Sequence, residues 1–524
     1  MSDNIKIKRA LISVSDKSGV SELAVALEKL GVEILSTGGT LKAIRDAGVQ
    51  VISVSTFTGA PEIMGGRVKT LHPKVHAGIL YRRDNEGDCE QMSSSDYKGI
   101  DLVVVNLYPF QQTVAKKDSD DDLIIENIDI GGPSMIRAAA KNHKSVTVVV
   151  DPSDYRTLVE QLKANDGTTD YDFRRECAKK AFQLTARYDS AIADYFVNGK
   201  PEAGEQTCPD SFSLNLSKKS SLRYGENPHQ EASLYKESSF TGPSLLDANQ
   251  LAGKELSYNN YNDLDACLEM LLDFSEPFAC VLKHANPCGA AVGNTIAEAY
   301  KKAYDSDPLS AFGSIIGINK EVDLACAELL HETPFVECIL APSFSEDAFK
   351  LLKKKKTRRL LELNSIVNGR PNDEIYFKFI RGGVLAQSAD DKITLPKDLQ
   401  CVTKRQPTDA EIKEMLFGWK IVKHTKSNAI VLSKDGATVG IGMGQTSRVD
   451  AGFLAVKRAG ERAKGAVMAS DAFFPMPDGV EVGTDAGVIA IIQPGGSKGD
   501  EQAIEAADKA NAAMVFSGVR HFKH

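Results

Sequence analysis

The chain has 524 residues, of which 42% are hydrophobic and 26% are charged, and its formal net charge is −8. This length exceeds what one hydrophobic core usually supports, so several domains are expected in an ordinary globular protein. The net negative charge argues against a nucleic-acid scaffold, and the apolar runs are too short for a signal peptide or a membrane span. Nine dispersed cysteines without a C-x-x-C pair indicate reduced thiols and a cytoplasmic location.

The first 150 residues alternate strand and helix patterns. An amphipathic helix begins at Val20, where apolar residues recur at helical spacing, and a second helix opens after residue 36 and ends at Gly48. Strands are predicted at 9–14, 32–35, 49–54, 102–107 and 146–150. This βαβ order predicts an α/β domain with a mainly parallel sheet.

Two turns at neighbouring strand ends suit a phosphate group. Ser15 and Lys17 follow the first strand, and Ser36, Thr37 and Gly38 follow the second. Glycines let backbone N–H groups point at an anion, hydroxyl groups add donors, and the following helix contributes its positive end. Neither turn matches a P-loop or a dinucleotide fingerprint, so plain turn chemistry is the alternative to phosphate binding.

The segment 65–78 places several hydrogen-bond donors between glycines. Arg67, Lys69 and Thr70 lie near its start. So many donors in a loop punctuated by Gly and Pro indicate an anion-binding loop rather than an ordinary surface.

Three further residues could join Lys69 in acid–base chemistry. Tyr108 stands at a strand end, Asp129 precedes a helix, and Lys141 lies on that helix. If the four converge, they place acid and base groups beside cations that stabilise an oxyanion. For Lys141 an exposed helix face is the alternative, since it lies one turn after Arg137 on the same face.

The composition changes near Asn198, so residues 199–211 are predicted to form a linker, and a second half begins near Phe212. Helices are predicted at 294–305 and 408–423, and strands at 278–283, 314–318, 429–432, 437–442, 466–470 and 488–492. The basic run 353–359 is interpreted as the solvated face of a helical stretch. An apolar strand pattern precedes the last residues, which favours an ordered terminus.

The second half carries a faint internal repeat. Lys283–His284 is echoed by Lys423–His424, each ahead of an apolar segment, and residues 307–312 are loosely echoed by 470–475. Two related α/β subdomains would explain these echoes.

Lys283 and His284 stand together at the end of an apolar strand, just before the strand-breaking Asn-Pro-Cys-Gly. A cation beside an imidazole at a strand end suits chemistry on a substrate held over the sheet edge. The alternative is a strand that simply exits into solvent. Arg223 and Tyr224 lie in another polar loop, where Arg suits a phosphate and Tyr can stack on a heteroaromatic ring.

Two patterns begin like zinc motifs, and both are incomplete. His229-Gln-Glu231 followed by Pro287-Cys288 opens a zinc deaminase signature, but its second cysteine would be residue 291, which is Ala. An H-E-x-x-H motif beginning at His331 fails because residue 335 is Phe. No metal site is expected.

Ten motifs in chain order resemble one known family: RVKTLHPKVHAGIL, NLYPF, DIGGPSMIRAAAKNH, LRYGENPHQ, KHANPCGAAVG, DPLSAFG, SNAIVL, GMGQTSR, SDAFFP and VRHFKH. This is the bifunctional purine biosynthesis family that joins phosphoribosylaminoimidazolecarboxamide (AICAR) formyltransferase to inosine monophosphate (IMP) cyclohydrolase. The resemblance runs from end to end, which a single shared module does not explain.

The resemblance implies that residues 1–198 form a methylglyoxal-synthase-like α/β domain, which cyclises formylated AICAR (FAICAR) to IMP. Residues 212–524 would form the AICAR formyltransferase domain, as two cytidine-deaminase-like subdomains that lack zinc and divide near 370–400. The resemblance further implies a homodimer with transferase sites between subunits. It implies 10-formyltetrahydrofolate as the formyl donor and no catalytic metal, and it allows a structural potassium ion.

The resemblance also implies a role for each candidate residue. In formyl transfer, His284 would manage the proton of the attacking amine with support from Lys283, and Asn428 would hold the formyl group. In cyclisation, protons and the oxyanion would be handled by Lys69, Tyr108, Asp129 and Lys141. The substrates would be bound by Ser15, Lys17, Ser36, Thr37, Gly38, Arg67 and Thr70 in the first domain and by Arg223, Tyr224, Asp307, Arg448, Phe473, Phe474, Asp478 and Arg520 in the second.

Two rival interpretations compete with this one. A single activity could be retained with the other site decayed, although no motif residue is lost. Alternatively, the N-terminal domain could be an allosteric nucleotide sensor. A sensor needs the phosphate-binding turns but has no use for the full set of Lys69, Tyr108, Asp129 and Lys141.

Overall fold

The computed structural model describes residues 4–116, 118–200, 208, 211–237, 240, 242–371 and 374–524. The chain forms two compact units, Met1–Asn215 and Leu216–His524. Most of the predicted linker 199–211 lies outside the described residues. Among the helices that are described, none is long and apolar enough to cross a membrane.

The first unit is built on a parallel sheet. Its strands are β1 (Ile5–Lys6), β2 (Arg9–Ser13), β3 (Glu33–Ser36), β4 (Ile52–Ser53), β5 (Leu102–Val105), β6 (Thr147–Val149) and β7 (Thr168–Thr169). Its helices are α1 (Val20–Lys29), α2 (Gly38–Asp46), α3 (Val54–Thr58), α4 (Pro73–Leu80), α5 (Glu86–Ser94), α6 (Phe110–Ala115), α7 (Asp121–Glu126), α8 (Gly131–Lys141), α9 (Tyr155–Ala164) and α10 (Tyr171–Asn198). Five strands pair in the order β4-β3-β2-β5-β6, and every pairing in this sheet is parallel.

The βαβ order and the parallel sheet predicted for the first unit are confirmed. Strand β5 is buried along its whole length, as expected for a strand covered on both faces. Strand β4 is shorter than the predicted 49–54 because the Ser53 hydroxyl accepts the N–H of Thr56 at 3.0 Å and caps α3. The predicted loop 65–78 is helical from Pro73 onward, with proline at the first helical position.

The second unit contains sixteen strands and eight helices among its described residues. Its strands are β8 (Leu216–Leu222), β9 (Ala232–Glu237), β10 (Asn249–Ala252), β11 (Phe278–Lys283), β12 (Asn286–Val292), β13 (Ser314–Ile318), β14 (Val336–Ala341), β15 (Arg359–Glu362), β16 (Ile375–Ile380), β17 (Gly383–Ser388), β18 (Gln400–Cys401), β19 (Ile430–Lys434), β20 (Ala437–Gly442), β21 (Val467–Ser470), β22 (Ala490–Gln493) and β23 (Ala513–Phe516). Its helices are α11 (Tyr258–Leu271), α12 (Ile296–Ser306), α13 (Leu324–Glu332), α14 (Glu346–Leu352), α15 (Asp409–Lys423), α16 (Arg448–Ala459), α17 (Asp478–Asp485) and α18 (Asp500–Lys509).

Twelve of these strands form one sheet in the order β10-β15-β14-β13-β11-β12-β20-β19-β21-β22-β23-β18. The sheet consists of two halves with one topology, because β10-α11-β11-β12-α12-β13-α13-β14-α14-β15 is matched in order by β18-α15-β19-β20-α16-β21-α17-β22-α18-β23. Parallel and antiparallel pairings also follow the same sequence in both halves. The halves join where β12 pairs antiparallel with β20. The unit is therefore an internal duplication.

The sequence echoes that suggested this repeat are out of register with it. Lys283–His284 closes β11 and opens a hairpin turn, whereas Lys423–His424 closes helix α15. The structural counterpart of the first pair is Lys434–Asp435, at the turn between β19 and β20. Likewise, residues 307–312 precede β13, whereas 470–475 begin where β21 ends. The second unit is duplicated, but neither of the two sequence matches pairs residues at equivalent positions of the two halves.

The basic run 353–359 connects α14 to β15 and ends on the first residue of β15, so the predicted helix does not extend through it. Lys353, Lys354 and Lys356 are exposed, as predicted for a solvated surface. Arg358 is instead buried, and its Nη2 donates to the carbonyl of Leu330 at 2.9 Å. That bond satisfies a carbonyl in the last turn of α13.

Candidate active sites

A cavity of about 600 Å³ lies in the first unit, beside the ends of β2, β3 and β5. It is formed by the loops that follow those strands, by the segment 65–70 before α4 and by the start of α8, at the sheet edge where ligands bind in open α/β sheets. Nine of the candidate residues line it: Ser15, Lys17, Thr37, Gly38, Arg67, Lys69, Thr70, Tyr108 and Asp129.

One end of the cavity has the geometry of an anion site. Helix α2 begins with Gly38 and Gly39, and two lysine side chains lie over these glycines. A Cβ atom added to Gly38 would lie 3.6 Å from Nζ of Lys69, and one added to Gly39 would lie 3.3 Å from Cε of Lys17. Two ammonium groups thus flank a helix N-terminus whose backbone N–H groups are accessible to an anion.

Asn106 braces this end of the cavity, and sequence reasoning did not single it out. Its Oδ1 accepts the N–H groups of Ser15 and Asp16 at 2.6 and 3.0 Å, and its Nδ2 donates to the carbonyl of Asp16 at 2.9 Å. The loop after β5 thereby holds the loop after β2. An asparagine immediately after a buried apolar strand was the available signal.

Asp129 lies two residues before the first residue of α8. Burial raises the pKa of its carboxyl group, and the N–H groups at the start of the helix oppose that shift; the N–H of Gly132 donates to Oδ1 at 2.8 Å. The N–H of Asp129 itself donates to the hydroxyl of Tyr188 at 2.9 Å, and that hydroxyl donates to the carbonyl of Asn127 at 3.0 Å. Helix α10 therefore fixes the loop that carries Asp129.

Two candidates of the first unit do not line the cavity. Ser36 is buried, and its hydroxyl donates to the carbonyl of Ile12 at 2.7 Å, so it ties β3 to β2. Lys141 is exposed in the last turn of α8, whereas the first turn of α8 lines the cavity. Ten helical residues span about 15 Å, so the predicted convergence of Lys141 with Lys69 and Asp129 is not observed.

In the second unit, Lys283 and His284 occupy the tip of the β11–β12 hairpin. His284 and Ala285 both have positive φ angles, 53° and 55°, and they form a two-residue hairpin turn. The Nζ of Lys283 donates to the carbonyl of Phe312 at 2.9 Å. Asn286 accepts the N–H of Lys426 at 3.1 Å, which joins the hairpin to the loop before β19.

That loop carries Asn428, which the surrounding chain holds on both sides. Its Oδ1 accepts a hydrogen bond from Nη2 of Arg448 at 2.7 Å, and its Nδ2 donates to the carbonyl of Gln445 at 3.0 Å. Arg448 is buried, and its Nη1 donates to Ser470 at 2.9 Å and to the buried carboxylate of Asp471. The predicted phosphate-binding arginine is thus engaged inside the protein, and Asp471, which the sequence analysis did not name, holds it.

The remaining candidates of the second unit are dispersed. Arg223 stacks on Tyr224 in the β8–β9 hairpin with 4.7 Å from its guanidinium carbon to the ring centre, and Arg520 lies over Phe522 at 4.3 Å. Asp307 follows α12 and accepts the N–H and the hydroxyl of Ser310 at 3.0 and 2.7 Å.

Near α17 the candidates differ in exposure. Phe473 is 36% exposed, whereas Phe474 is fully buried in the hydrophobic core, so the prediction that Phe474 lines a pocket was wrong. Asp478 is exposed at the first position of α17.

Comparison with known proteins matches two family models. The AICARFT/IMPCHase bienzyme model matches residues 139–458, and the MGS-like domain model matches residues 19–134. The chain belongs to the AICARFT/IMPCHase bienzyme family. It is a bifunctional enzyme of purine biosynthesis, with AICAR formyltransferase and IMP cyclohydrolase activities. A formyltransferase of this family uses a folate-type formyl donor.

Several relatives match the chain along its whole length. The protein named "Bifunctional purine biosynthesis protein PurH" from Oceanobacillus iheyensis is 49% identical over 517 residues, which is 99% of this chain and 100% of the relative. Proteins of the same name from Bacillus subtilis and Acetivibrio thermocellus are each 50% identical, again over 99% of this chain and 100% of their own. A solved structure described as "Crystal structure of ForH" is 36% identical over 36% of this chain and 98% of its own, with a TM-score of 0.33.

The family has an MGS-like N-terminal domain, which agrees with the resemblance drawn from the sequence. Among the residues that the structure describes, no group of three or more His, Cys, Asp or Glu side chains is placed to hold a metal ion.

Proposed function

We propose that each compact unit carries one of the two activities. The first unit, which contains the predicted domain 1–198, cyclises FAICAR to IMP, and the second, which contains most of the predicted domain 212–524, transfers the formyl group from 10-formyltetrahydrofolate to AICAR. The cavity of the first unit carries this assignment, because it places Lys69, Tyr108 and Asp129 beside an anion-binding helix start. A nucleotide phosphate matches that anion site.

In the cyclisation, the carboxamide nitrogen of FAICAR attacks the formyl carbon, and the formyl oxygen leaves as water. Lys17, Thr37 and Gly38 bind the phosphate at the start of α2. The ammonium group of Lys69 stabilises the negative charge that develops on the formyl oxygen, and Tyr108 donates one proton to it. The second proton that the leaving water needs comes from the formylated 5-amino nitrogen, which loses its hydrogen as the ring C=N bond forms. Asp129 accepts the carboxamide proton. Burial raises the pKa of its carboxyl group toward neutral pH, and a general base is most effective when its pKa lies near the working pH.

In the formyl transfer, the 5-amino group of AICAR attacks the formyl carbon of the folate, the bond from that carbon to N10 of the folate breaks, and N10 takes up the proton that the amine loses. This amine is a poor nucleophile, because its lone pair is conjugated with the imidazole ring. His284 removes its proton through the adjacent carboxamide, and Lys283 supports the charge balance. One Nδ2 hydrogen of Asn428 is used by Gln445, which leaves the second for the formyl oxygen.

The observed contacts refine two roles. Arg448 acts by orienting Asn428, since its Nη2 bonds to the side-chain oxygen of that residue. The nucleotide phosphate is then bound by Arg223 and Arg520, which are exposed and lie against aromatic rings. Tyr224 and Phe473 offer aromatic surface to the substrates, and Asp307 and Asp478 lie at their periphery.

The duplicated sheet supports the interpretation of two cytidine-deaminase-like subdomains without zinc. A deaminase needs a second cysteine three residues after Cys288, and Ala291 occupies that position inside β12. The segment between the two copies, from the end of β15 to the start of β18, contains the β16–β17 hairpin. The predicted division near 370–400 falls within that segment.

The β16–β17 hairpin also supports the homodimer. Phe379 is 72% exposed and Leu385 is 56% exposed, and Ile380 is exposed beside them. A two-stranded ribbon is marginal in water by itself, so apolar side chains at its tip favour packing against a partner. A second copy of the chain is the partner that the family resemblance implies, and it would share the transferase sites.

The direct test is an assay of the purified protein with AICAR and 10-formyltetrahydrofolate that follows IMP, together with a separate assay that supplies FAICAR. Both substrates should be consumed. If residues 1–200 bind FAICAR without turnover while the full chain makes no IMP, the first unit is a sensor and the proposal is wrong.

A further inference from the structure

The internal duplication repeats one arrangement of a helix and a hairpin in both halves of the second unit. Each half has a helix, α11 or α15, followed by a hairpin, β11–β12 or β19–β20. Asp263 is the sixth residue of α11, and Glu414 is the sixth residue of α15. The two carboxylates therefore occupy equivalent positions in the repeat.

Each carboxylate holds the turn of its own hairpin. Asp263 Oδ1 accepts the N–H of Ala285 at 2.8 Å, and Glu414 Oε2 accepts the N–H of Gly436 at 2.8 Å. These donors are the second residues of the two turns. The duplication has preserved a hydrogen bond from helix to turn, although the carboxylate side chain differs in length.

The two turns differ in what they carry and in how easily they form. The second turn is Asp435–Gly436, and its glycine adopts a φ of 71° freely. The first turn is His284–Ala285, and the Cβ atom of Ala285 disfavours the positive φ that Gly436 adopts at the equivalent position. The first turn has therefore more need of an external acceptor, and it is the turn that presents an imidazole.

Asp263 is also electrostatically close to that imidazole. Burial raises the pKa of the Asp263 carboxyl group, and the hydrogen bond from Ala285 and the charge of His284 oppose that shift. Glu337 adds a further negative charge nearby, which acts in the same direction as burial. The carboxylate thus interacts with the backbone of the turn and with the charge of His284.

We propose that Asp263 is a positioning residue for formyl transfer, which fixes the His284–Ala285 turn and so orients the imidazole toward the reacting amine. This inference rests on the proposed role of His284. Asp263 contacts no substrate; it acts through the turn. Misplacement of a catalytic group by about 1 Å can cost about 10²-fold in rate.

The test compares Asp263→Ala with Glu414→Ala in the full-length enzyme. Both variants remove a carboxylate from the same position of the repeat, so they share the general loss of a helix-to-turn bond. We expect Asp263→Ala to lower kcat for formyl transfer about 10- to 100-fold, with KM for AICAR changed less than about 3-fold. Glu414→Ala should keep kcat within about 3-fold, and both variants should cyclise FAICAR normally.

A conservative variant and a double variant distinguish a positioning role of Asp263 from other roles. Asp263→Asn retains an acceptor oxygen at nearly the same place and should recover most of the rate. The double variant Asp263→Ala/His284→Ala should be no slower than His284→Ala alone, because both changes disable one group. If Asp263→Ala does not fold, Asp263→Ser takes its place, since a hydroxyl is too short to reach the turn but keeps the position polar.

Three results would overturn the inference. The first is a wild-type kcat in the Asp263→Ala or Asp263→Ser enzyme while His284→Ala is inactive. The second is an equal loss in Glu414→Ala, which would show a general effect of the repeat on folding. The third is a double variant slower than His284→Ala by the full factor of Asp263→Ala. Wild-type transfer by His284→Ala would instead refute the proposed function of the turn.

Discussion

The residues proposed for the two activities are gathered in different ways. In the first unit, loops at one edge of a parallel sheet bring nine candidate residues around one cavity. In the second, His284 lies in a hairpin turn of the first repeat, Asn428 before β19 of the second, and Asp478 at the start of α17. In a parallel sheet the carboxyl ends of all strands lie at the same edge, whereas successive turns of an antiparallel sheet lie at opposite edges. A parallel sheet therefore assembles a site within one chain more readily.

The cationic side chains of the two regions also differ in how strongly other protein groups engage them. In the first unit, Lys17 and Lys69 lie over the glycines at the start of α2, and Lys69 forms a long ion pair with Glu62, 3.7 Å. In the second, Arg448 is buried against Asp471 and serves the protein framework. Cations that lie over a backbone anion site are available to a ligand, whereas a buried ion pair is costly to break.

The largest effect that separates the two regions is expected from His284→Ala. Formyl transfer should fall about 10²–10⁴-fold, because a general acid–base group is removed. Cyclisation of supplied FAICAR should stay at the wild-type rate, since His284 belongs to the second unit. Steady-state assays of the two half-reactions on the same preparation measure both outcomes, and loss of both activities in a folded variant would contradict the division.

The reverse effect is expected from Lys69→Ala or Tyr108→Phe. Cyclisation should fall about 10²–10³-fold, as when one oxyanion donor is removed, while transfer continues and FAICAR accumulates. Lys141→Ala is the matched control, because this lysine belongs to the same unit but lies in the last turn of α8, away from the cavity. Chromatography of the reaction mixture distinguishes FAICAR from IMP. Equal losses in Lys69→Ala and Lys141→Ala would restore the predicted convergence of the two residues.

The parts that sequence predicted well are those determined by local pattern. Strands 278–283, 314–318 and 437–442 have the predicted bounds, because each is an apolar run enclosed by turn residues. The loops that follow β2 and β3 both line the cavity, since they follow neighbouring strands of one parallel sheet, and phosphate binding by them stays a prediction.

The parts that sequence missed depend on distant contacts. The partner of Arg448 is Asp471, 23 residues away, and no spacing rule links the two. Phe473 and Phe474 are adjacent residues of the same type, and Phe474 is the buried one because of how the chain packs around it. The repeat was placed in the wrong register because it is preserved in topology and in the contacts of Asp263 and Glu414, rather than in the Lys–His pairs.

A smaller effect should follow from Phe379→Asp at the exposed hairpin β16–β17. A charge at an apolar contact disfavours association, so the variant should dissociate at concentrations where the parent is a dimer. Transfer should then fall about 10-fold or more and recover as the enzyme is concentrated, whereas cyclisation should not change. Gln387→Asp is the control, since it adds the same charge at an exposed polar position of the ribbon. Sedimentation velocity measures the fraction of dimer, and transfer assays at the same concentrations measure the activity. A monomer with full transferase activity would contradict a transferase site shared between subunits.

The smallest effect, and the sharpest contrast between the regions, is expected from a fragment ending at residue 200. The apolar core of the first unit is formed by residues between Ile7 and Ala181, so the fragment keeps it intact. Helix α10, which supports Asp129 through Tyr188, is also retained in full. The fragment should therefore fold cooperatively and cyclise FAICAR within about 3-fold of the parent rate, because the core, the cavity and the helix that supports Asp129 all lie within it. Circular dichroism on heating and the cyclisation assay test this, and a folded but inactive fragment would show that the cavity needs residues beyond 200.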